Sequence, residues 1–127
     1  MEVPADRRYT KTHEWFKADG DIVTIGITRF AADELTDITY VQLPAKGAAI
    51  SAGKPFGEIE SVKATSDLYS AIDGTVVEVN TRLDKEPELV NNDSFGNGWM
   101  IKARCSNPAQ LNNLMDASAY LSQTGAK

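Results

Sequence analysis

The chain has 127 residues, 42% of them hydrophobic, and a formal net charge of −5. That length suits one domain with a modest core, and the acidic balance argues against unassisted nucleic-acid binding, which leaves a basic patch or stripe. A single cysteine, Cys105, excludes an internal disulfide, no Cys/His spacing suits zinc, and no apolar run approaches the roughly 20 residues that span a bilayer.

Residues 1–6 (MEVPAD) carry neither the charged and apolar regions of a secretory signal nor the Arg/Ser bias of an organellar presequence. The cytoplasm is therefore the expected compartment, or the mitochondrial matrix for a processed eukaryotic chain. The first clear period-two pattern is at residues 22–28 (IVTIGIT), where Val23, Ile25 and Ile27 share one strand face and predict core. Thr28 can cap a short helix over residues 30–35 (FAADEL). Residues 38–43 (ITYVQL) are rich in strand formers and stop at Pro44, which removes a ladder donor.

Residues 55–62 and 67–72 are extended segments able to pair as a hairpin around Lys63, although no Asn-Gly or Asp-Gly turn marks the loop. Residues 75–79 (TVVEV) and 99–103 (WMIKA) read as further strands, with Cys105 a small buried residue at the end of the second and Gly96-Asn97-Gly98 a turn before it. Trp15 and Trp99 read as core or edge aromatics, and His13 as a packing or hydrogen-bonding residue. Near the C-terminus, Asn107 and Pro108 stand at cap and first helical positions before Leu111, Leu114 and Met115, an i, i+3, i+4 stripe that predicts a short amphipathic helix. Residues 116–121 can add a second turn or helix, and residues 122–127 form a polar tail. Several short strands separated by turns predict a mainly β sandwich or barrel.

Lys63 stands out by its context. The run Gly57-Glu58-Ile59-Glu60-Ser61-Val62-Lys63-Ala64, followed by Ser66-Asp67 and by Gly74 with Val76, Val77 and Val79, resembles a lipoyl-attachment segment. The match extends through Tyr9-Thr10, His13-Glu14-Trp15, Ile25-Gly26-Ile27-Thr28, Val41-Gln42-Leu43-Pro44, Glu88-Leu89-Val90-Asn91 and Gly98-Trp99. Over nearly its whole length the chain resembles the glycine cleavage H-protein family.

That resemblance implies a mainly β barrel-sandwich hybrid of lipoyl-domain type, one domain over residues 1–127 with a core at about 9–105, a short N-proximal helix and a C-terminal helical segment at about 107–121. It implies Lys63 at an exposed hairpin tip with lipoic acid amide-linked to its amine, which lysine alone can offer on a long stem. The protein is then a monomeric carrier and not an enzyme. A PLP-dependent glycine decarboxylase would load an aminomethyl group on the arm, a tetrahydrofolate-dependent aminomethyltransferase would unload it, and dihydrolipoyl dehydrogenase would reoxidise the sulfurs. The loaded arm would fold into a cleft where Glu14 and Asp67 accept from the cationic ammonium, with the Thr12 hydroxyl as a further acceptor and Glu34 beside the arm. Glu60 and Gly74 would be read by the lipoate-attaching enzyme.

Alternatives remain at this point. Glu14 and Asp67 are equally the residue type of solvated surface acids. The same lysine chemistry would serve an H-like protein that relays its lipoyl group to other complexes, and an unmodified interaction domain would share the fold. Valine and alanine beside Lys63, in place of paired methionines, disfavour a biotin carrier. Arg29, Ala32, Glu34, Thr36 and Ala71 depart from the family pattern; Arg29 would repel a cationic cargo if it faced the cleft and would meet a partner's acids if it faced outward.

Overall fold

The computed structural model describes residues 3–124. Strands β1 (Arg8–Tyr9), β2 (Glu14–Asp19) and β3 (Ile22–Ile27) form a meander, with Val23, Ile25 and Ile27 buried as the alternation predicts. Thr28 then turns the chain into helix α1 (Arg29–Leu35), its hydroxyl accepting from the Ala31 amide at 3.2 Å as an N-cap. Strands β4 (Ile38–Gln42), β5 (Ala49–Ile50), β6 (Pro55–Ser61), β7 (Thr65–Tyr69) and β8 (Gly74–Val79) follow. A 3-10 turn at Thr81–Asp84 and the short helix α2 (Leu89–Asn92) lead to β9 (Ile101–Cys105).

Two antiparallel sheets result, one of six strands in the order β1-β2-β3-β9-β8-β5 and one of three in the order β4-β6-β7. Neither closes on itself. The architecture is therefore a mainly β two-sheet sandwich with short helices, and the barrel part of the expected hybrid is not formed as a closed barrel. Phe16, Ile25, Val41, Ile59, Leu68 and Ile101 are among the buried residues of the main core. A second cluster joins Tyr9, Trp15 and Tyr120.

Gly26 explains how Trp15 is placed. The two residues are paired across β2 and β3, and a Cβ on Gly26 would lie 2.7 Å from the indole ring. The bare backbone lets the ring lie across the neighbouring strand, where its Nε1–H donates to the carbonyls of Ile27 (3.0 Å) and Ser94 (3.1 Å).

The C-terminal expectation needs correction. Residues 107–116 do not form an α-helix: Pro108–Asn113 is a 3-10 helix, and Asn107 makes no side-chain cap. The chain then extends, because Met115 exchanges both backbone hydrogen bonds with Tyr9 (2.8 and 3.0 Å) and so ends the helical run. Leu111, Leu114 and Met115 still pack inward, against two different clusters rather than as one helical stripe. Helix α3 (Ala117–Thr124) begins after Asp116, whose carboxylate accepts from the Ala119 amide at 2.8 Å. It runs into residues expected to be a polar tail; residues 125–127 lie outside the described residues.

Candidate functional site

The hairpin carrying Lys63 forms as the sequence suggests, with Glu60 opposite Thr65 and Glu58 opposite Asp67. Its tip is held by a residue that the sequence reading left without a role. Tight two-residue hairpin turns use positive φ, and neither Val62 nor Lys63 has it. The Ser61 hydroxyl compensates by accepting from the amides of Lys63 and Ala64, both at 3.1 Å, while the Ser61 amide donates to the Ala64 carbonyl at 2.8 Å. Lys63 is exposed at this tip. Its Nζ donates to the Glu34 carbonyl, at the C-terminal end of α1, at 2.8 Å.

Glu14 occupies a different environment from a surface acid. It is 1% exposed. Its Oε1 accepts from the hydroxyls of Thr10 (2.6 Å) and Thr12, and its Oε2 accepts from the Tyr69 amide at 3.1 Å. Since Tyr69 ends β7, the edge strand of the smaller sheet, this carboxylate joins the head of β2 to that edge. Burial pushes the Glu14 carboxyl up, opposed by the Thr10 and Thr12 hydroxyls and the Tyr69 amide. An incoming ammonium would meet this carboxylate only beside or in place of the Thr12 or Thr10 hydroxyl. Thr10, whose Oγ1 also accepts from the Glu14 amide at 3.0 Å, was invisible as a site residue because a lone threonine in a turn has no signature.

Tyr69 links the two acids expected to act together, its amide binding Glu14 and its hydroxyl donating to Asp67 Oδ2 at 3.4 Å. Asp67 is exposed. Thr12 is also exposed, with its hydroxyl hydrogen directed at Glu14. Glu34 is exposed, and its carbonyl holds Lys63. Glu34 also acts on His13: burial pushes the imidazole below its ordinary value, and the Glu34 charge opposes that. The structure thus groups Thr12, Glu14 and Asp67 through Tyr69, and Lys63 with Glu34.

His13 has φ 75, packs 4.9 Å from the Phe30 ring, and lies 2.7 Å through Nδ1 from the Tyr120 hydroxyl. That hydroxyl, pushed up to about 12 by burial, is also 2.7 Å from Thr28 Oγ1, so α3 is tied to the N-cap of α1. Arg29 is exposed and pairs with Asp33 at 3.5 Å along the helix. Glu60 is exposed on β6. Gly74 lies in the larger sheet, opposite Cys105 and Ile50, and a Cβ there would sit 2.3 Å from the Arg104 carbonyl oxygen. Close strand approach is therefore a sufficient reason for that glycine. Among the described residues no His/Cys/Asp/Glu group suits a metal ion, and no helix is long and apolar enough to cross a membrane.

A family model for the glycine cleavage H-protein matches residues 7–126. A glycine cleavage system H protein of Symbiobacterium thermophilum is 52% identical over 118 residues, covering 93% of this chain and 92% of that protein. One from Opitutus terrae is 55% identical over 119 residues, covering 93% and 94%. The crystal structure of a glycine cleavage system H protein from Mycobacterium marinum superposes with a TM-score of 0.89 at 40% identity, covering 97% of this chain and 99% of that one.

Proposed function

The chain belongs to the glycine cleavage H-protein family, and on that premise we propose that Lys63 is the residue through which it works. Members of this family are lipoyl carriers of the glycine cleavage system and not catalysts. In our reading the Lys63 amine is acylated by lipoic acid through a lipoate-attaching enzyme. The bound dithiolane supplies sulfurs that take the aminomethyl cargo at the PLP-dependent glycine decarboxylase, yield it to the tetrahydrofolate-dependent aminomethyltransferase, and are reoxidised by dihydrolipoyl dehydrogenase.

The observation that carries this reading is the exposed lysine on a braced tip. Ser61 fixes the backbone on which Lys63 stands, and among the described residues only an exposed carbonyl of α1 holds its amine. A donor enzyme therefore has to break a single surface hydrogen bond to reach the nucleophile. Amide formation leaves one N–H on that nitrogen, enough to keep a bond to the Glu34 carbonyl and so to root the arm beside α1. Glu60, three residues before Lys63, is an exposed determinant for the attaching enzyme, and Gly74 supports it through strand geometry.

For the cargo, Glu14, Thr12 and Asp67 offer oxygen acceptors around Tyr69, with Glu34 near the root of the arm. A buried carboxylate without a cationic partner attracts an ammonium strongly. An arm folded against these residues would hold water away from the cargo and slow its loss. We read the carrier as a monomer in the cytoplasm, free to present its arm to several enzymes in turn.

Incubation with a lipoate-attaching enzyme, ATP and lipoate, followed by intact mass and peptide mapping, tests the attachment. One adduct, located at Lys63 and absent from Lys63→Arg, is expected. The lipoylated carrier should then support glycine-dependent bicarbonate exchange by glycine decarboxylase. Failure of that exchange with a correctly lipoylated protein would favour the lipoyl-relay alternative.

A further inference from the structure

Two large hydrophobic side chains are open to solvent among the described residues, Tyr40 at 50% and Val62 at 70%. Both border Lys63. Tyr40 stands opposite Glu60, which stands opposite Thr65 at the base of the tip. The next row across the same sheet is Gln42, Glu58 and Asp67. These six residues are exposed, while Val41, Ile59 and Leu68 of the same strands are buried, so the outward face carries the exposed Tyr40 ring among three carboxylates. The Val62 amide donates to the Asp37 carbonyl at 3.1 Å, just before the strand that bears Tyr40, and this puts both apolar residues at one corner of the sheet.

Scattered exposed apolar residues are ordinary. What gives these meaning is their position and the charges around them. Glu58, Glu60 and Asp67 have no ion-pair partner among the described residues, and Glu58 faces Asp67 directly across the hairpin, where like charges are destabilising. Within the fold the Tyr69 hydroxyl, 3.4 Å from Asp67 Oδ2, offsets that repulsion only weakly; a cationic partner surface would offset it further.

Reach decides which partner. An enzyme that acylates Lys63 must bring its reacting carbonyl to Nζ, one lysine stem from the hairpin backbone, so it has to close over the tip and its flanks. Enzymes acting on the sulfurs at the far end of the finished arm need not touch this corner. We propose that Tyr40 and Val62 form the apolar anchor on which the lipoate-attaching enzyme docks, with Glu58, Glu60 and Asp67 meeting a cationic rim on that enzyme. The proposal rests on Lys63 being the lipoylated residue.

The test is steady-state lipoylation by purified lipoate-attaching enzyme with ATP and lipoate, varying the concentration of the carrier. The double variant Tyr40→Thr/Val62→Thr keeps strand-forming residues at both positions. Its KM as a substrate should rise roughly tenfold, as for loss of an interface anchor, with kcat within about twofold. Glu58→Lys should also raise KM and weaken its dependence on salt. An unchanged KM for a variant whose unfolding midpoint matches wild type overturns the proposal. So does an equal rise in KM for glycine decarboxylase, measured on the fully lipoylated double variant, because the surface would then serve partners in common. A wild-type chain that takes no lipoyl group removes the Lys63 reading itself, an outcome distinct from either.

Discussion

The Lys63 ammonium rests on the carbonyl of Glu34, 2.8 Å away, at the end of a helix that lies twenty-nine positions earlier in the sequence. The contact is exposed, joins a cation to the negative end of a short helix, and is of the kind worth about 0.3–1 kcal/mol. It defines a resting position for the side chain without contributing much to the fold. Lys63→Gln, which removes the charge as acylation does, should change the free energy of urea unfolding by no more than about 1 kcal/mol. A loss above about 2 kcal/mol would mean that the contact holds α1 in place and that acylation must disturb the fold.

Thr36 ends α1 with φ 64 and ψ −146, a combination that side chains avoid and glycine accepts. Asn91 restrains it, its Nδ2 donating to the Thr36 carbonyl at 2.8 Å while its Oδ1 accepts from the Ile38 amide at 2.9 Å. The strain is of order 1–3 kcal/mol, and glycine would return about 0.5–1 kcal/mol of that as unfolded-state entropy. Thr36→Gly should therefore stabilise the protein by about 1 kcal/mol in urea unfolding. Destabilisation would show that the Thr36 hydroxyl, which donates to the Leu35 carbonyl at 2.5 Å, outweighs the backbone strain.

Gly74 separates packing from recognition. A Cβ there meets the Arg104 carbonyl oxygen at 2.3 Å and its carbon at 3.1 Å, both backbone atoms of β9 that cannot swing away. Gly74→Ala should cost roughly 2–4 kcal/mol by forcing β8 and β9 apart. Below its lowered melting transition, its lipoylation KM should equal that of wild type. A raised KM on folded protein would instead make Gly74 part of what the attaching enzyme reads.

Strand β3 was legible in the sequence because Val23, Ile25 and Ile27 are buried on one face while Ile22 and Thr24 on the other are only half-buried. Strand β2 was not, because Glu14, Trp15 and Phe16 are buried consecutively and its second half is exposed, which erases the period of two. The cap at Thr28 was readable because it acts within one turn. The break at Met115 was not, since it depends on pairing with Tyr9 far away in the chain. The same distinction runs through the site. Lys63 and its flanks are contiguous, whereas Glu14 is bonded by the Tyr69 amide from the other sheet, and from the sequence alone an acid at that position reads like any surface acid.

His13 gives the fold a pH dependence with a definite sign. Burial lowers its pKa in the folded state below the unfolded value of about 6.5, so the unfolded chain binds the proton more readily. The stability associated with neutral His13 is complete above the unfolded value and is lost as the pH falls through and below it toward the depressed folded value. Glu14 works in the opposite sense, since its raised carboxyl contributes most when protonated and that contribution is lost as the pH rises through its folded value. The difference between wild type and His13→Asn isolates the histidine, asparagine being tolerant of the positive φ at this position. Between about pH 7.5 and pH 5.5 the urea midpoint should fall further for wild type than for the variant. Parallel profiles would mean that His13 titrates alike in both states.

Glu14 bridges the two sheets and is also the proposed acceptor for the cargo ammonium, and two substitutions separate these roles. In Glu14→Gln the side-chain carbonyl can still accept from the Tyr69 amide while the NH2 group faces the Thr10 and Thr12 hydroxyls, which can rotate to accept. The fold should survive at a cost of about 1 kcal/mol. Glu14→Ala leaves the Tyr69 amide without its partner and opens a cavity beside β7, so a loss of about 2–4 kcal/mol is expected. What glutamine cannot supply is the negative charge. If that charge holds the cargo ammonium through a charge-assisted hydrogen bond worth about 1.5 kcal/mol or more, loaded Glu14→Gln should release its aminomethyl group roughly tenfold faster than wild type. Release is followed as ammonia or formaldehyde appearing from the isolated loaded carrier. An unchanged rate on a folded Glu14→Gln protein would leave Glu14 as a bridge between the sheets and pass the task of holding the ammonium to Asp67.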